Sequence, residues 1–158
     1  MDTTEPRIDD ILTAYFSTVT EGQVGATRSR TERVERWLRR CVEAEGDRML
    51  DDVDYAILAL ERAVQPEAAV ARTMRADALL WVLAVFLIAP WRMGDRLALA
   101  LQLQVAEELA KRVIQGGLVC VACAEHPLSH IRDGLSAGRQ ELHRLQAQRR
   151  RAAGSGRR

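Results

Sequence analysis

Lysine is almost missing from this sequence. Of 23 basic residues only Lys111 is lysine, and the rest are arginine. Such a bias follows from GC-rich coding as readily as from phosphate recognition, so alone it assigns no ligand. Aromatic residues make up 4%, which leaves the core to be built from leucine, alanine and valine. With only four prolines, and with arginine and glutamate abundant, that composition favours helix. The net charge of +1 excludes a strong uniform field around the molecule. The longest apolar run, residues 78–91, is too short to span a bilayer and reads as a buried core helix. There is no alternating strand pattern, no internal repeat and no glycine-rich phosphate loop.

What is present is helical periodicity. An apolar fraction of 47% over 158 residues supports one domain, with or without a small appendage. Residues 7–20 predict a helix with Ile8, Ile11, Leu12, Tyr15, Phe16 and Val19 on one stripe, broken by Gly22 and Gly25. Thr27 or Thr31 is expected to cap a second helix reaching about residue 44, with Val34, Trp37, Leu38, Cys41 and Val42 inward. Asp51, Asp52 and Asp54 favour a helix start, and Tyr55, Leu58 and Val64 are its expected apolar positions. A fourth helix is expected over 67–89, its second half apolar all round and therefore surrounded by other helices. A fifth spans 93–115, with Leu97, Leu101, Leu109, Val105 and Val113 in a stripe and Gly116–Gly117 as its stop. A last helix over 136–151 has few apolar contacts, and disorder is expected from 154 on.

Between the last two helices lies Cys120-x2-Cys123-x2-His126-x3-His130. Two thiolates and two imidazoles are the donor set that a tetrahedral zinc ion takes. Pro127 favours a helix start with His126 as its cap, which would put His130 one turn on, on the face of the sulfurs. The close spacing predicts a structural zinc knuckle stapled to a larger domain, not a free-standing finger. Other readings stay open: buried Cys120 with surface histidines, or a redox Cys-x2-Cys pair.

Arginines cluster twice. Arg28, Arg30, Arg33, Arg36, Arg39 and Arg40 lie on the second helix, with Arg33, Arg36 and Arg40 beside Trp37. They form either a phosphate-facing ridge or a solvated face with Glu32–Arg36 and Glu35–Arg39 ion pairs. The second cluster is the tail, which carries seven arginines from Arg139 to Arg158, with Arg149, Arg150 and Arg151 consecutive. Phosphate binding by such an arm is salt-dependent and largely independent of base sequence.

Over residues 8–88, the order of Ile11-Leu12, Tyr15-Phe16, Arg28, Arg33, Trp37-Leu38, the turn Met49-Leu50-Asp51-Asp52-Val53-Asp54, and Leu79, Leu80, Val82 and Phe86 resembles a known pattern. It is similar to the N-terminal core-binding, SAM-like domain of tyrosine recombinases and phage integrases, a four-helix bundle that clamps DNA. The resemblance implies DNA contacts from the second and fourth helices, through Arg28, Arg30, Arg33, Arg36, Arg72 and Arg75. The recombinase catalytic domain has no counterpart, and the only tyrosines are Tyr15 and Tyr55. His126-Pro127-Leu128-Ser129-His130 has serine where the recombinase box has arginine.

The expected architecture is therefore all-α, a bundle of about five helices. It comprises a SAM-like bundle over 1–92, a long helix over 93–117, a zinc knuckle over 118–133, and a basic helix and tail over 134–158. The expected function is a non-catalytic DNA-binding or recombination-accessory protein of a mobile genetic element, with structural zinc on Cys120, Cys123, His126 and His130. DNA contacts are expected at Arg28, Arg30, Arg33, Arg36, Arg40, Arg72, Arg75, Arg149, Arg150 and Arg151, with a recombinase as a protein partner. The alternative is a helical adaptor or homo-oligomer without nucleic acid. No enzyme is expected, since no nucleophile, base and orienting group occur together, and Glu125 is the only candidate base. Acidic residues in the first ten positions and an odd count of three cysteines lead to the expectation of a cytoplasmic protein without a membrane partner.

Overall fold

The computed structural model describes residues 5–155. Seven α-helices follow one another: α1 (Ile8–Thr20), α2 (Gly25–Glu45), α3 (Asp52–Val64), α4 (Ala69–Thr73), α5 (Ala76–Phe86), α6 (Arg96–Gln115) and α7 (Val121–Ser155). The all-α class holds. No strand forms among the described residues, where one isolated antiparallel bridge joins Arg7 to Arg75. No helix among them is long and apolar enough to cross a membrane.

Helix α5 is the apolar centre. Its Leu79, Leu80, Leu83 and Phe86 are fully buried, and α1, α2, α6 and α7 pack around it. Helices α1 and α2 bury the expected stripes, Ile8 to Phe16 and Val34 to Val42, with Trp37 half-buried. Asp51 caps α3 by accepting the Asp54 N–H at 2.8 Å. Gly117, at φ 65°, ends α6 in a conformation that glycine adopts without strain, and the Leu118 N–H closes back on the Val113 carbonyl at 3.1 Å.

Several expectations give way to longer-range contacts. Helix α2 begins at Gly25, so neither Thr27 nor Thr31 caps it; Thr31 is buried and donates to the Gln23 side chain at 2.8 Å. The single helix expected over 67–89 is two helices. Glu43 of α2 accepts the N–H groups of Val70 and Ala71 at 3.1 and 3.0 Å, which fixes the start of α4. The chain then extends at Met74, whose carbonyl accepts the Ile8 N–H at 2.9 Å, before α5 begins. On α3 only Leu58 is buried, and Tyr55 and Val64 face solvent. On α6 the expected Val105, Leu109 and Val113 are buried and Leu101 is half-buried, and the buried face is wider than that stripe. Leu97 is 41% exposed, while Leu99, Gln102 and Ala106 are inside.

The largest difference is α7. A knuckle followed by a short helix is replaced by one helix of 35 residues with Pro127 inside it. Proline removes one N–H from the ladder, leaving the Cys123 carbonyl without its helical donor, and a continuous seam outweighs that loss. The seam is Ala124, Pro127, Ile131, Gly134, Leu135 and Gly138, at helical spacing, against α5 and α6. The two glycines permit close approach. A Cβ at Gly134 would lie 2.7 Å from the Leu87 Cβ, and one at Gly138 would collide with the Leu103 side chain. Residues 154 and 155, expected to be disordered, are helical; 156–158 lie outside the described residues.

Candidate nucleic-acid interface

The fold collects arginines that are far apart in sequence. The connection between α5 and α6 is anchored from beneath by Gln102, a fully buried polar residue on an otherwise apolar face. Its Nε2 donates to the carbonyls of Phe86 and Trp91 at 2.8 and 3.0 Å, and its Oε1 accepts the Met93 N–H at 2.8 Å. A buried amide with its bonds made holds this backbone in one arrangement. From α2, the Trp37 Nε1–H donates to the same Trp91 carbonyl at 2.7 Å, and the two indoles lie 5.0 Å apart.

On this platform stands an open cleft of about 430 Å³ lined by Arg33, Arg36, Trp37, Arg40, Arg92, Met93 and Gly94. Arg40 lies over the Trp37 ring at 5.3 Å, a cation–π contact that keeps the guanidinium edge free. The Arg92 Nε–H donates to the Leu87 carbonyl at 2.8 Å, which leaves the other N–H groups of the fork without a partner among the described residues. Arg33 pairs with Asp95 at 3.3 Å. No carboxylate among the described residues forms an ion pair with Arg36, Arg40 or Arg92. Of the two helical pairs considered, Glu35–Arg39 forms at 2.9 Å, but Glu32 turns to Arg28 at 3.0 Å and leaves Arg36 unpaired.

A second cleft, of about 370 Å³, is lined by Arg96, Gln146, Arg149, Arg150 and Ala153. The two clefts draw on adjacent parts of one connection, Arg92 to Gly94 for the first and Arg96 for the second. The α2 ridge and the α7 tail, two separate clusters in the sequence, thus both flank the α5–α6 connection. Arg151 is exposed on the same stretch of α7.

Other expected contacts have structural roles. Arg72 is held by Glu61 at 2.7 Å and by the carbonyls of Gln65 and Glu67, tying α4 to α3. Arg75 bridges to Arg7 through the backbone and pairs with Glu5 at 3.1 Å. Arg28 is engaged by Glu32, and Arg30 is half-buried on α2. Arg92, Arg96, Trp91 and Gln102 were not among the expected site residues. The signal for three of them was the run Pro90-Trp91-Arg92-Met93-Gly94-Asp95-Arg96, a charged connection with an aromatic between two apolar helices.

The expected zinc ligands do not converge. No group of three or more Cys, His, Asp or Glu side chains able to hold a metal forms among the described residues. The reason is helical. Ten residues from Cys120 to His130 rise about 15 Å along α7, so one ion cannot reach both ends. His130 packs against Trp81, with ring centroids 5.8 Å apart. Cys120 immediately precedes α7 and Cys123 lies in its first turn, both exposed, whereas Cys41 is buried in the core. The backbone N–H groups of Cys123 and Ala122, and then the Cys123 thiol, hold the Cys120 thiol below the ordinary thiol range. The hydrogen bond with Cys120, and its charge, push the Cys123 thiol up. Burial pushes Cys41 far up.

No protein-family model matches this chain, and neither does any curated protein or solved structure.

Proposed function

We propose that this protein is a small, non-catalytic DNA-binding factor that grips the phosphate backbone with α2, the α5–α6 connection and the tail of α7. One observation carries the reading: Arg36, Arg40 and Arg92, none of them in an ion pair among the described residues, surround a tryptophan platform in an open cleft. Most arginines elsewhere in the body, such as Arg39, Arg62 and Arg72, are committed to acidic partners. Guanidinium forks suit phosphate oxygens, and such contacts position a protein on nucleic acid without reading bases. The adjoining Arg96, Arg149 and Arg150 lengthen the basic surface along one direction. The finer role of recombination accessory rests on the resemblance of residues 8–88. Structural zinc on Cys120, Cys123, His126 and His130 would require the first turns of α7 to unwind and forms no part of this reading.

The test is fluorescence anisotropy of a short labelled duplex over a salt series. Affinity is expected to fall steeply with salt. Arg36→Ala, Arg40→Ala and Arg92→Ala are each expected to weaken binding and reduce the slope by about one. An unchanged slope in all three overturns the assignment.

A second reading, a self-associating helical adaptor, is favoured by α3. Val53, Ile57, Leu60 and Val64 form a stripe at helical spacing, with Leu60 72% and Val64 85% exposed. A second copy of the same seam would cover it. Light scattering of the parent beside Leu60→Glu tests this reading, and a parent that is monomeric while shifting a DNA probe removes it.

A further inference from the structure

We infer that Cys120 and Cys123 form a thiol–disulfide exchange site, a dithiol that closes to an intramolecular disulfide by reaction with low-molecular-weight disulfides. The placement of the pair carries this, independently of the nucleic-acid reading. Cys120 lies outside α7, and its carbonyl accepts the Ala124 N–H at 3.0 Å, so it occupies the cap of the helix. Cys123 follows in the first turn. Residues three apart at a helix start lie on one face with Cβ atoms about 5–6 Å apart, and a disulfide needs about 3.5–4.5 Å. Because Cys120 is not helical, rotation at that one residue closes the gap without breaking the α7 ladder.

The surroundings fit exchange chemistry. Both thiols are exposed, and no third metal-binding side chain joins them among the described residues. Cys120 sits at the N-cap of α7, beside the first-turn N–H groups that have no helical acceptor, and such an end stabilises a thiolate as attacking or leaving group. The remaining cysteine, Cys41, is fully buried, so oxidation is confined to one place.

The steps balance. The Cys120 thiolate attacks one sulfur of a disulfide R–S–S–R; that bond breaks, and R–S⁻ leaves and takes a proton from water. Cys123 then gives its proton to solvent and attacks the Cys120 sulfur of the mixed disulfide, expelling the second R–S⁻. The two cysteine sulfurs lose two electrons and two protons in total. The reagent gains them and departs as two thiols.

The experiment uses the full chain and oxidised glutathione, followed by alkylation of free thiols and peptide mass mapping. The parent is expected to carry a Cys120–Cys123 link, no retained glutathione, and a Cys41 that alkylates only after unfolding. Cys123→Ser is expected to stop at a glutathione adduct on Cys120. Cys120→Ser is expected to react more slowly at Cys123. Exchange in the folded parent should be roughly tenfold faster than in the urea-unfolded chain at the same pH. A persistent adduct on the parent overturns the inference, because the second thiol then does not attack. Exchange no faster than in the unfolded chain overturns it too, because the fold then contributes nothing. Co-purifying zinc that blocks exchange until it is chelated also overturns it.

Discussion

The indole N–H of Trp37 donates to the backbone carbonyl of Trp91 at 2.7 Å, across 54 positions of sequence. This bond joins the arginine-bearing helix α2 to the connection that supplies Arg92 and Arg96. Trp37→Phe keeps an aromatic ring, though a smaller one, and removes the donor. The expected loss is about 1 kcal/mol, read by urea unfolding, with a further drop in duplex affinity as the cleft loosens. A variant as stable and as tightly bound as the parent would show that the bond does not organise the cleft.

Gln102 supports the same segment from below. Gln102→Leu strands the Met93 N–H and removes a donor from the carbonyls of Phe86 and Trp91. A destabilisation of about 1–3 kcal/mol is expected, larger than for Trp37→Phe because a buried backbone donor is left without an acceptor. Equal unfolding midpoints for Gln102→Leu and the parent would contradict this.

Arg72 and Arg36 separate architecture from binding. Arg72→Ala should cost about 1–2 kcal/mol of stability through its contacts with Glu61 and the Gln65 carbonyl, and leave the salt slope of DNA binding unchanged. Arg36→Ala should do the reverse. Deleting residues 149–158 should flatten the slope further, since Arg149 and Arg150 line the adjoining cleft.

Glycine replacements on α7 should have opposite signs along its length. Gly134→Ala and Gly138→Ala are expected to destabilise by about 1–3 kcal/mol, because a methyl meets Leu87 or Leu103. At Gly154 nothing lies within 4 Å of an added Cβ, and alanine there should leave stability unchanged or raise it slightly. Thermal melts of the three variants check the pattern.

Tyr15 donates its hydroxyl to Glu108 at 2.6 Å beneath the Arg112 guanidinium. Burial, reinforced by the Glu108 carboxylate, pushes its phenol well above the ordinary value of 10.0. The folded state therefore prefers the neutral phenol more than the unfolded chain does. Its contribution is fully present below pH 10 and is lost as pH rises beyond it. In Tyr15→Phe the alkaline decline in stability should be shallower than in the parent.

Much of the fold was legible in the sequence. The stripes of α1 and α2, the all-round apolarity of α5 and the glycine stop after α6 are local patterns, and local patterns survive folding. The break between α4 and α5 was not legible, because it lies where the Met74 carbonyl is taken up by the Ile8 N–H of a helix far away in sequence. The continuity of α7 escaped because four of its six seam residues, Ala124, Pro127, Gly134 and Gly138, are small or helix-breaking, which hydrophobic periodicity does not register. Half of the candidate interface was visible as the α2 ridge and the tail. Their convergence was hidden, since it depends on Gln102, a polar residue inside an apolar face. The cysteine–histidine spacing was legible as chemistry but not as geometry: α7 spreads along its axis what a loop would have folded together.

Helix α7 also sets an angular phase. It runs about 52 Å at 1.5 Å per residue, and each residue turns the next by about 100°. Arg149 and Arg150 reach the Arg96 side of the molecule only because every position from Val121 onward counts toward that angle. One residue inserted after Gly138 would swing the arginines about 100° around the rod, whereas seven would return them almost to their bearing one heptad further out. The stretch between Gly138 and Arg149 therefore tolerates change in its identity far better than change in its length.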